Sequence, residues 1–277
     1  MKLEHKKYTS LVIDGMNLAY RVFFGLPKLC SKSRLESSTV YGFLNAMQTL
    51  HKYFLPKNIV IVWDGRNNKR KKIDMTYKHK RKKMEDPRAP AFFEQIRVLK
   101  KKLEYIGFPT IEVESYEADD IMACLVENKK LYPICLCTRD DDLLQVLDKD
   151  IYIWDWKQIC TVSSFIKEFN FHPKYFCIYK ALVGCKSDNV IGVRGIGEVG
   201  ALKIMASSKI DSILKEIDRL EKTEEFNNAL RLVTLPLDLD YSICDTEIKP
   251  YKINKKEFIK FLYKYSITNI SVKNFLQ

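Results

Sequence analysis

The sequence predicts an α/β protein: a mostly parallel sheet with helices on both faces, followed by a helical region. Three observations predict it. Short apolar, β-branched runs recur at 10–14, 59–64, 110–113, 133–138 and 151–154. Stretches with apolar residues at helical spacing lie between them, at 40–54, 91–106 and 118–130. Strand alternating with helix is the pattern of parallel strands joined by crossover helices. After about residue 176 the strand signal fades and the remainder reads as helical. A domain of residues 1–176 and a helical region of residues 177–277 are the expected division.

Four of the five strand runs carry carboxylates at or soon after their ends. Asp14 follows Leu-Val-Ile, and Asp64 follows Ile-Val-Ile-Val-Trp. Glu117, Asp119 and Asp120 come soon after the third run, at the start of a helix. Asp140 and Asp142 follow the fourth. In an open α/β sheet, ligands bind in the crevice outside the carboxyl ends of the strands. Seven carboxylates would therefore meet on one rim. Such a cluster repels itself unless divalent cations neutralise it, and hard oxygen donors without His or Cys suit Mg²⁺ or Mn²⁺. Any one of these acids alone reads equally as a helix N-cap or a charged first turn. Their joint placement is what points to metal.

The chain carries 47 Lys and Arg against 35 Asp and Glu, a net charge of +12. That excess favours a polyanionic partner, nucleic acid or an anionic membrane surface. Ten of the cations fall between Arg66 and Lys83, opposed only by Asp74. They include Arg70, Lys71, Lys72, Lys78, Lys80, Arg81, Lys82 and Lys83, and they directly follow Asp64. A phosphodiester could approach the acidic rim only with cationic help, so a phosphate-gripping segment over the site is expected at about 66–90. Further on, Gly195, Gly197 and Gly200 spell G-x-G-x-x-G. A dinucleotide fingerprint must follow a strand within a βαβ unit, and this one follows Lys186-Ser187-Asp188-Asn189 in the helical half. Residues 188–206 read instead as a helix-hairpin-helix, whose tight glycine turn points backbone N–H groups at a nucleic-acid phosphate.

Together these motifs resemble the family of 5′-3′ exonucleases and flap endonucleases, including the 5′-nuclease domain of bacterial DNA polymerase I and the phage 5′ nucleases. Val12-Ile13-Asp14-Gly15-Met16-Asn17-Leu18-Ala19-Tyr20-Arg21 is similar to that family's opening. Val40-Tyr41-Gly42-Phe43, Trp63-Asp64-Gly65, Tyr77-Lys78-His79-Lys80-Arg81 and Tyr116-Glu117-Ala118-Asp119-Asp120 follow in the family's order. So do Asp140-Asp141-Asp142-Leu143 and Ser187-Asp188-Asn189 with Gly195-Ile196-Gly197.

The resemblance implies a PIN-like domain with a helical arch, a helix-three-turn-helix region, and a nuclease using two Mg²⁺ or Mn²⁺ ions. Its substrates would be DNA with 5′ ends or 5′ flaps, and the RNA of primers. Asp14, Asp64, Glu117 and Asp119 would hold the first metal or its waters. Asp140, Asp142 and Asp188 would hold the second, with Asp120 in support. Lys78 and Arg81 would contact the scissile phosphate, with the neighbouring cations gripping DNA. Tyr20 would stack on a terminal base, or serve as a core tyrosine on a helix face, with Arg21 beside it. The glycine hairpin would bind duplex DNA, in relatives with a K⁺ ion.

One departure bears on the second metal. The bacterial loop pattern is Gly-Asp-x-Ser-Asp, whereas Gly184-Cys185-Lys186-Ser187-Asp188 stands here. A neutral thiol is a poor ligand for Mg²⁺. Retained activity with weaker second-metal affinity is the expectation; a DNA-junction binding protein with weakened or lost catalysis is the alternative.

Composition excludes other classes. At 46% hydrophobic and 30% charged residues the chain is neither disordered nor fibrous. No run approaches a membrane span, and the charged N-terminus is not a signal peptide. The eight cysteines and four histidines are scattered without C-x-x-C spacing, which argues against zinc fingers and for reduced thiols in a cytoplasmic protein. A monomer, with any polymerase partner a separate protein, completes the expectation.

Overall fold

The computed structural model describes residues 8–81, 84–206, 210–219, 221–238, 248 and 250–275. Its centre is a six-stranded sheet of β1 (Ser10–Asp14), β2 (Asn58–Trp63), β3 (Thr110–Glu112), β4 (Ile134–Cys137), β5 (Ile151–Trp154) and β6 (Ile159–Cys160), in the order β3-β2-β1-β4-β5-β6. The first five strands run parallel, and β6 joins antiparallel to β5. Four of the five strand runs that end in or precede carboxylates are thus immediate neighbours, which is what puts their ends on one rim.

Strand alternation divides the hydrophobic residues between two cores. Val12, Val60, Val62, Leu136 and Ile153 face one side; Leu11, Ile13, Ile61, Trp63 and Cys137 face the other. In-register pairing keeps this alternation consistent, with Val12 opposite both Val60 and Leu136. Both faces are covered, so the strands read as continuous apolar runs. On the Leu11 side pack α1 (Gly15–Gly25), α2 (Ser38–Phe54), α4 (Ala89–Ile106) and the C-terminal α11 (Lys255–Lys264). On the Val12 side pack α5 (Ala118–Leu125), α7 (Phe176–Val183), α8 (Glu198–Met205), α9 (Ile210–Arg219) and α10 (Thr223–Val233). Each core draws on residues from both sides of position 176, so that position does not separate two cores.

Three details differ from the sequence reading. The helix expected over 118–130 ends at Leu125, where Val126 forms its C-cap and a 3₁₀ turn follows at Lys129–Leu131. The arch segment carries one helical turn, α3 (Arg70–Ile73), followed by hydrogen-bonded turns. Side chains explain the break: Asn68 Oδ1 accepts from the Arg70 N–H at 2.8 Å, and Asp74 Oδ1 accepts from both the N–H and the hydroxyl of Thr76 at 2.8 Å. Asx contacts of this kind compete with helix propagation. Lys82 and Lys83 lie outside the described residues. Finally, Cys30, Cys135, Cys137, Cys160, Cys177 and Cys185 are free thiols as expected, but Cys124 is disulfide-bonded, which corrects the reading of uniformly reduced cysteines.

Candidate metal centre at the carboxyl edge of the sheet

Asp14 ends β1 and caps α1. Its Oδ1 accepts from the Asn17 N–H at 2.9 Å and its Oδ2 from the Thr138 hydroxyl at 3.0 Å. Asp64 follows β2, and its Oδ1 accepts from the Ala118 N–H at 2.9 Å, tying the β2 end to the start of α5. The turn after Asp64 requires glycine: a Cβ on Gly65 would stand 1.9 Å from the Val113 carbonyl oxygen. Asp140 caps the 3₁₀ helix Asp141–Val146 through the Asp142 N–H at 3.0 Å. Glu117 caps α5, with Asp119 and Asp120 in its first turn. Local capping thus sets each carboxylate, and the sheet order brings them together.

Asp14, Asp64, Glu117, Asp119 and Asp140 line one cavity of about 200 Å³ with Asn17, Tyr20, Lys78 and Arg81. Asp140 and Arg81 are shared with an adjoining cavity of about 260 Å³, which is also lined by Asp142, Lys180, Cys185 and Asp188. Of the eight acids proposed as metal residues, seven lie on these two cavities.

The eighth, Asp120, does not. It is 1% exposed, and its two oxygens take Arg70 Nη1 at 2.5 Å, Arg70 Nη2 at 2.8 Å, the Leu237 N–H at 2.8 Å and the Glu117 N–H at 3.3 Å. No lone pair remains for a metal. The same contacts correct the reading of Arg70 as a DNA contact. Arg70 is itself 1% exposed and also donates to the Leu232 and Thr234 carbonyls. It is an internal clamp that joins α5 to the end of α10 and reaches Glu117 at 3.4 Å.

The electrostatics divide the acids into two groups. Glu117 pairs with Lys78 and Arg70 and accepts from the Tyr77 hydroxyl at 2.8 Å. Asp188 pairs with Arg81 at 2.6 Å and Lys78 at 3.7 Å. Burial works to raise both carboxyls, yet these cations hold them below the ordinary range. Asp14, Asp119 and Asp140 behave oppositely. Burial, then the neighbouring acids, pushes Asp14 to about 7 and Asp140 to about 6, and Asp119 well above its ordinary value. Among the described residues none of these three, nor Asp64, forms an ion pair, whereas Glu117, Asp120, Asp142 and Asp188 all do.

The basic residues fall into several environments. Lys78 and Arg81 reach the acids. Lys71, Lys72 and Lys80 are exposed. Arg21 is exposed with its guanidinium over the Trp156 ring. Tyr20 packs on Phe92 and stacks with Phe24, and it lines the acidic cavity. Gly195, in the left-handed region at φ +85°, and Gly197 are exposed just before α8, and a Cβ on either would meet open space. Gly200 sits within α8, where a Cβ would touch only Ile196, at 3.6 Å. Sequence reasoning assigned no role to Thr138, Tyr77 or Lys180, whose ammonium stands 2.7 Å from Asp142. Tyr77 sits inside a motif already singled out; Thr138 and Lys180 carry no local signal.

Residues 9–175 match the family described as 5′-3′ exonuclease, N-terminal resolvase-like domain. The chain is 33% identical over 253 residues to a 5′-3′ exonuclease of Aquifex aeolicus, covering 87% of this chain and 86% of that protein. It is 29% identical over 281 residues to the DNA polymerase I of Caldicellulosiruptor bescii, covering 94% of this chain but only 33% of the polymerase. Its fold is similar to that of a bacteriophage T5 flap endonuclease solved with DNA and metal ions, with a TM-score of 0.71 and 21% identity over 93% of this chain and 99% of that one. The acid-rimmed sheet edge and these likenesses agree, and the chain belongs to the 5′-3′ exonuclease family of nucleases.

Proposed function

We propose that this chain is a structure-specific 5′ nuclease, a 5′-3′ exonuclease and flap endonuclease that hydrolyses DNA phosphodiesters with two divalent metal ions. The observation that carries this reading is the group of carboxylates Asp14, Asp119 and Asp140, Asp119 buried and the other two half-buried, that face one cavity and form no ion pair among the described residues. Like charges held together in this way are stable when a cation neutralises them. Around the first ion the donor set fits Mg²⁺ or Mn²⁺: oxygen ligands from several elements around a space large enough for a hydrated ion. Asp14, Asp64, Glu117, Asp119 and Asp140 would hold the first ion or its waters, and Asp142 and Asp188, with Asp140 between, the second. When bound, such ions lower the pKa of a water and stabilise the leaving 3′ oxygen.

The chain's own residues supply the rest. Lys78 and Arg81 line the acidic cavity and pair with Glu117 and Asp188. Transfer of these cations to the scissile phosphate would offset its charge, most strongly as charge develops on the phosphoryl oxygens. Tyr20, at the rim of the acidic cavity, would offer its ring to a terminal base. Lys71, Lys72, Lys80 and Arg21 would supply phosphate contacts that do not read sequence. The exposed backbone at Gly195 and Gly197 would take a duplex phosphate, with K⁺ as an accessory ion. The substrates would extend to primer RNA, and the setting would be the cytoplasm of a bacterial cell or phage-infected host, with the chain acting as a monomer. No helix among the described residues is long and apolar enough to cross a membrane. The alternative of a junction-binding protein without catalysis is not favoured: five carboxylates line one cavity, and the chain is 33% identical to a 5′-3′ exonuclease.

Incubation with a 5′-flap duplex tests the reading. Cleavage in Mg²⁺ with 5′-phosphate and 3′-hydroxyl products supports it. Binding without cleavage in any divalent metal overturns it.

A further inference from the structure

The loop after α7 departs from its family's pattern at one residue, and that residue faces the metal centre. Cys185 ends the short strand β7 (Gly184–Cys185). Its Sγ, one oxygen of Asp142 and one oxygen of Asp188 all lie within 4.8 Å of one another. The three arrive from two separate segments, the 3₁₀ turn after β4 and the bend after α7, and all three line the 260 Å³ cavity. The Cys185 side chain is half-buried and contacts the Ser187 hydroxyl at 3.1 Å, so it is not sealed in the core. Asp142 Oδ1 is buried, and its partner is the Lys180 ammonium 2.7 Å away.

We infer that the second metal site is a mixed sulfur–oxygen site in which Cys185 is a ligand, and that it selects a thiophilic divalent cation over Mg²⁺. This rests on the two-metal reading above but goes beyond it. Ligand bonds of ~2.0–2.3 Å place tetrahedral donors roughly 3.5 Å apart, so the three atoms need draw in by little more than an ångström. Two carboxylate oxygens and one sulfur match borderline and soft ions such as Co²⁺, Zn²⁺ and Cd²⁺, whereas Mg²⁺ demands near-octahedral oxygen. On binding, the thiol gives its proton to solvent, the sulfur–metal bond forms, and a water leaves the ion's hydration shell. Asp14, Asp64, Glu117 and Asp119 form an all-oxygen set next to it. The two sites therefore sort metals by ligand chemistry, with a hard ion beside a thiophilic one.

Titration of the full chain with Cd²⁺ or Co²⁺, followed by ultraviolet absorption, reads the sulfur–metal bond directly. The expected result is a thiolate-to-metal charge-transfer band that saturates near one equivalent and persists in excess Mg²⁺. Cys185→Ser should remove the band and weaken Cd²⁺ binding ~100-fold, the upper end of what even indirect ligand partners cost. Cys185→Asp should remove the band while lowering the Mg²⁺ needed for half-maximal cleavage. A missing band, or a band unchanged in Cys185→Ser, overturns the inference. Should the Ser variant fail to fold, wild-type protein decides: Cd²⁺ should slow iodoacetamide labelling of Cys185, located by peptide mapping, and unslowed labelling overturns it. A band without cleavage in any metal would sink the nuclease reading alone. Cleavage in Mg²⁺ without a band would sink the sulfur site alone.

Discussion

Arg70→Met separates a structural cation from the DNA-contacting ones around it. In the native chain Arg70 is 1% exposed, forks onto Asp120 at 2.5 and 2.8 Å, and donates to the Leu232 carbonyl at 2.8 Å. Methionine fills much of the stem's volume but leaves Asp120 charged and buried. Removing one partner of a buried pair typically costs about 3–5 kcal/mol. At ~2–4 °C per kcal/mol for chains approaching this size, the melting temperature should fall on the order of 10 °C. The double variant Arg70→Met/Asp120→Leu should recover part of the loss, since no charge is left stranded. Recovery stays incomplete because the Leu237 N–H, 2.8 Å from Asp120, loses its acceptor, a cost of about 1–3 kcal/mol. Thermal melts give the stability, and DNA binding at several salt concentrations gives the slope. Arg70→Met should leave that slope unchanged. A melting temperature within a degree or two of wild type, or a salt slope reduced by about one, would refute the clamp assignment.

Lys78→Ala should slow single-turnover flap cleavage far more than it weakens binding, because its charge matters most in the transition state; an unchanged rate would remove its assigned role. Lys71→Ala/Lys72→Ala should do the reverse, weakening binding and flattening its salt dependence. Gly197→Ala meets open space and should leave the melting temperature unchanged while reducing duplex affinity, whereas Gly195→Ala, at φ +85°, should cost about 1–2 kcal/mol. In the metal-free protein Asp14 and Asp140 keep their protons to about pH 7 and 6, while the unfolded chain releases them near 3.8. The native state thus holds more protons between about pH 4 and 7, so these groups lower stability as pH rises through that window. Mg²⁺ relieves the exposed repulsion and should raise the melting temperature more at pH 8 than at pH 5.5; an equal shift at both would contradict the site.

The strands were legible because a parallel sheet covered on both faces makes its strands apolar throughout, as in Ile59–Trp63. The acidic rim was legible for a related reason: an acid directly after such a run can only leave the sheet at its edge. What pairs with those acids was not legible. Arg70 sits between Lys69 and Lys71 and differs from them only by its turn into the core, which depends on the Leu232 and Thr234 carbonyls more than 160 residues away. Lys180 likewise meets Asp142 only through the packing of α7 against the 3₁₀ turn. Asp120 shares a helical turn with Asp119, and which of the two faces the cavity follows from helix rotation rather than from spacing. The helical arch came from the resemblance alone, and in this chain the Asn68 and Asp74 side chains confine helix to the single turn Arg70–Ile73.

Metal-dependent cleavage by this chain is assigned to the sheet-edge acids that form no ion pair among the described residues. Asp119→Asn tests it most directly, because Asp119 lines the cavity and has no ion pair among the described residues whose loss would unfold the chain. The measurement is the single-turnover cleavage rate of a 5′-flap duplex at saturating Mg²⁺, beside its affinity for the same DNA. The variant should fold, bind the DNA with nearly unchanged affinity and cleave it ~100-fold more slowly or worse. A variant that cleaves as fast as wild type, or a wild type that cleaves equally well in excess chelator, would contradict it.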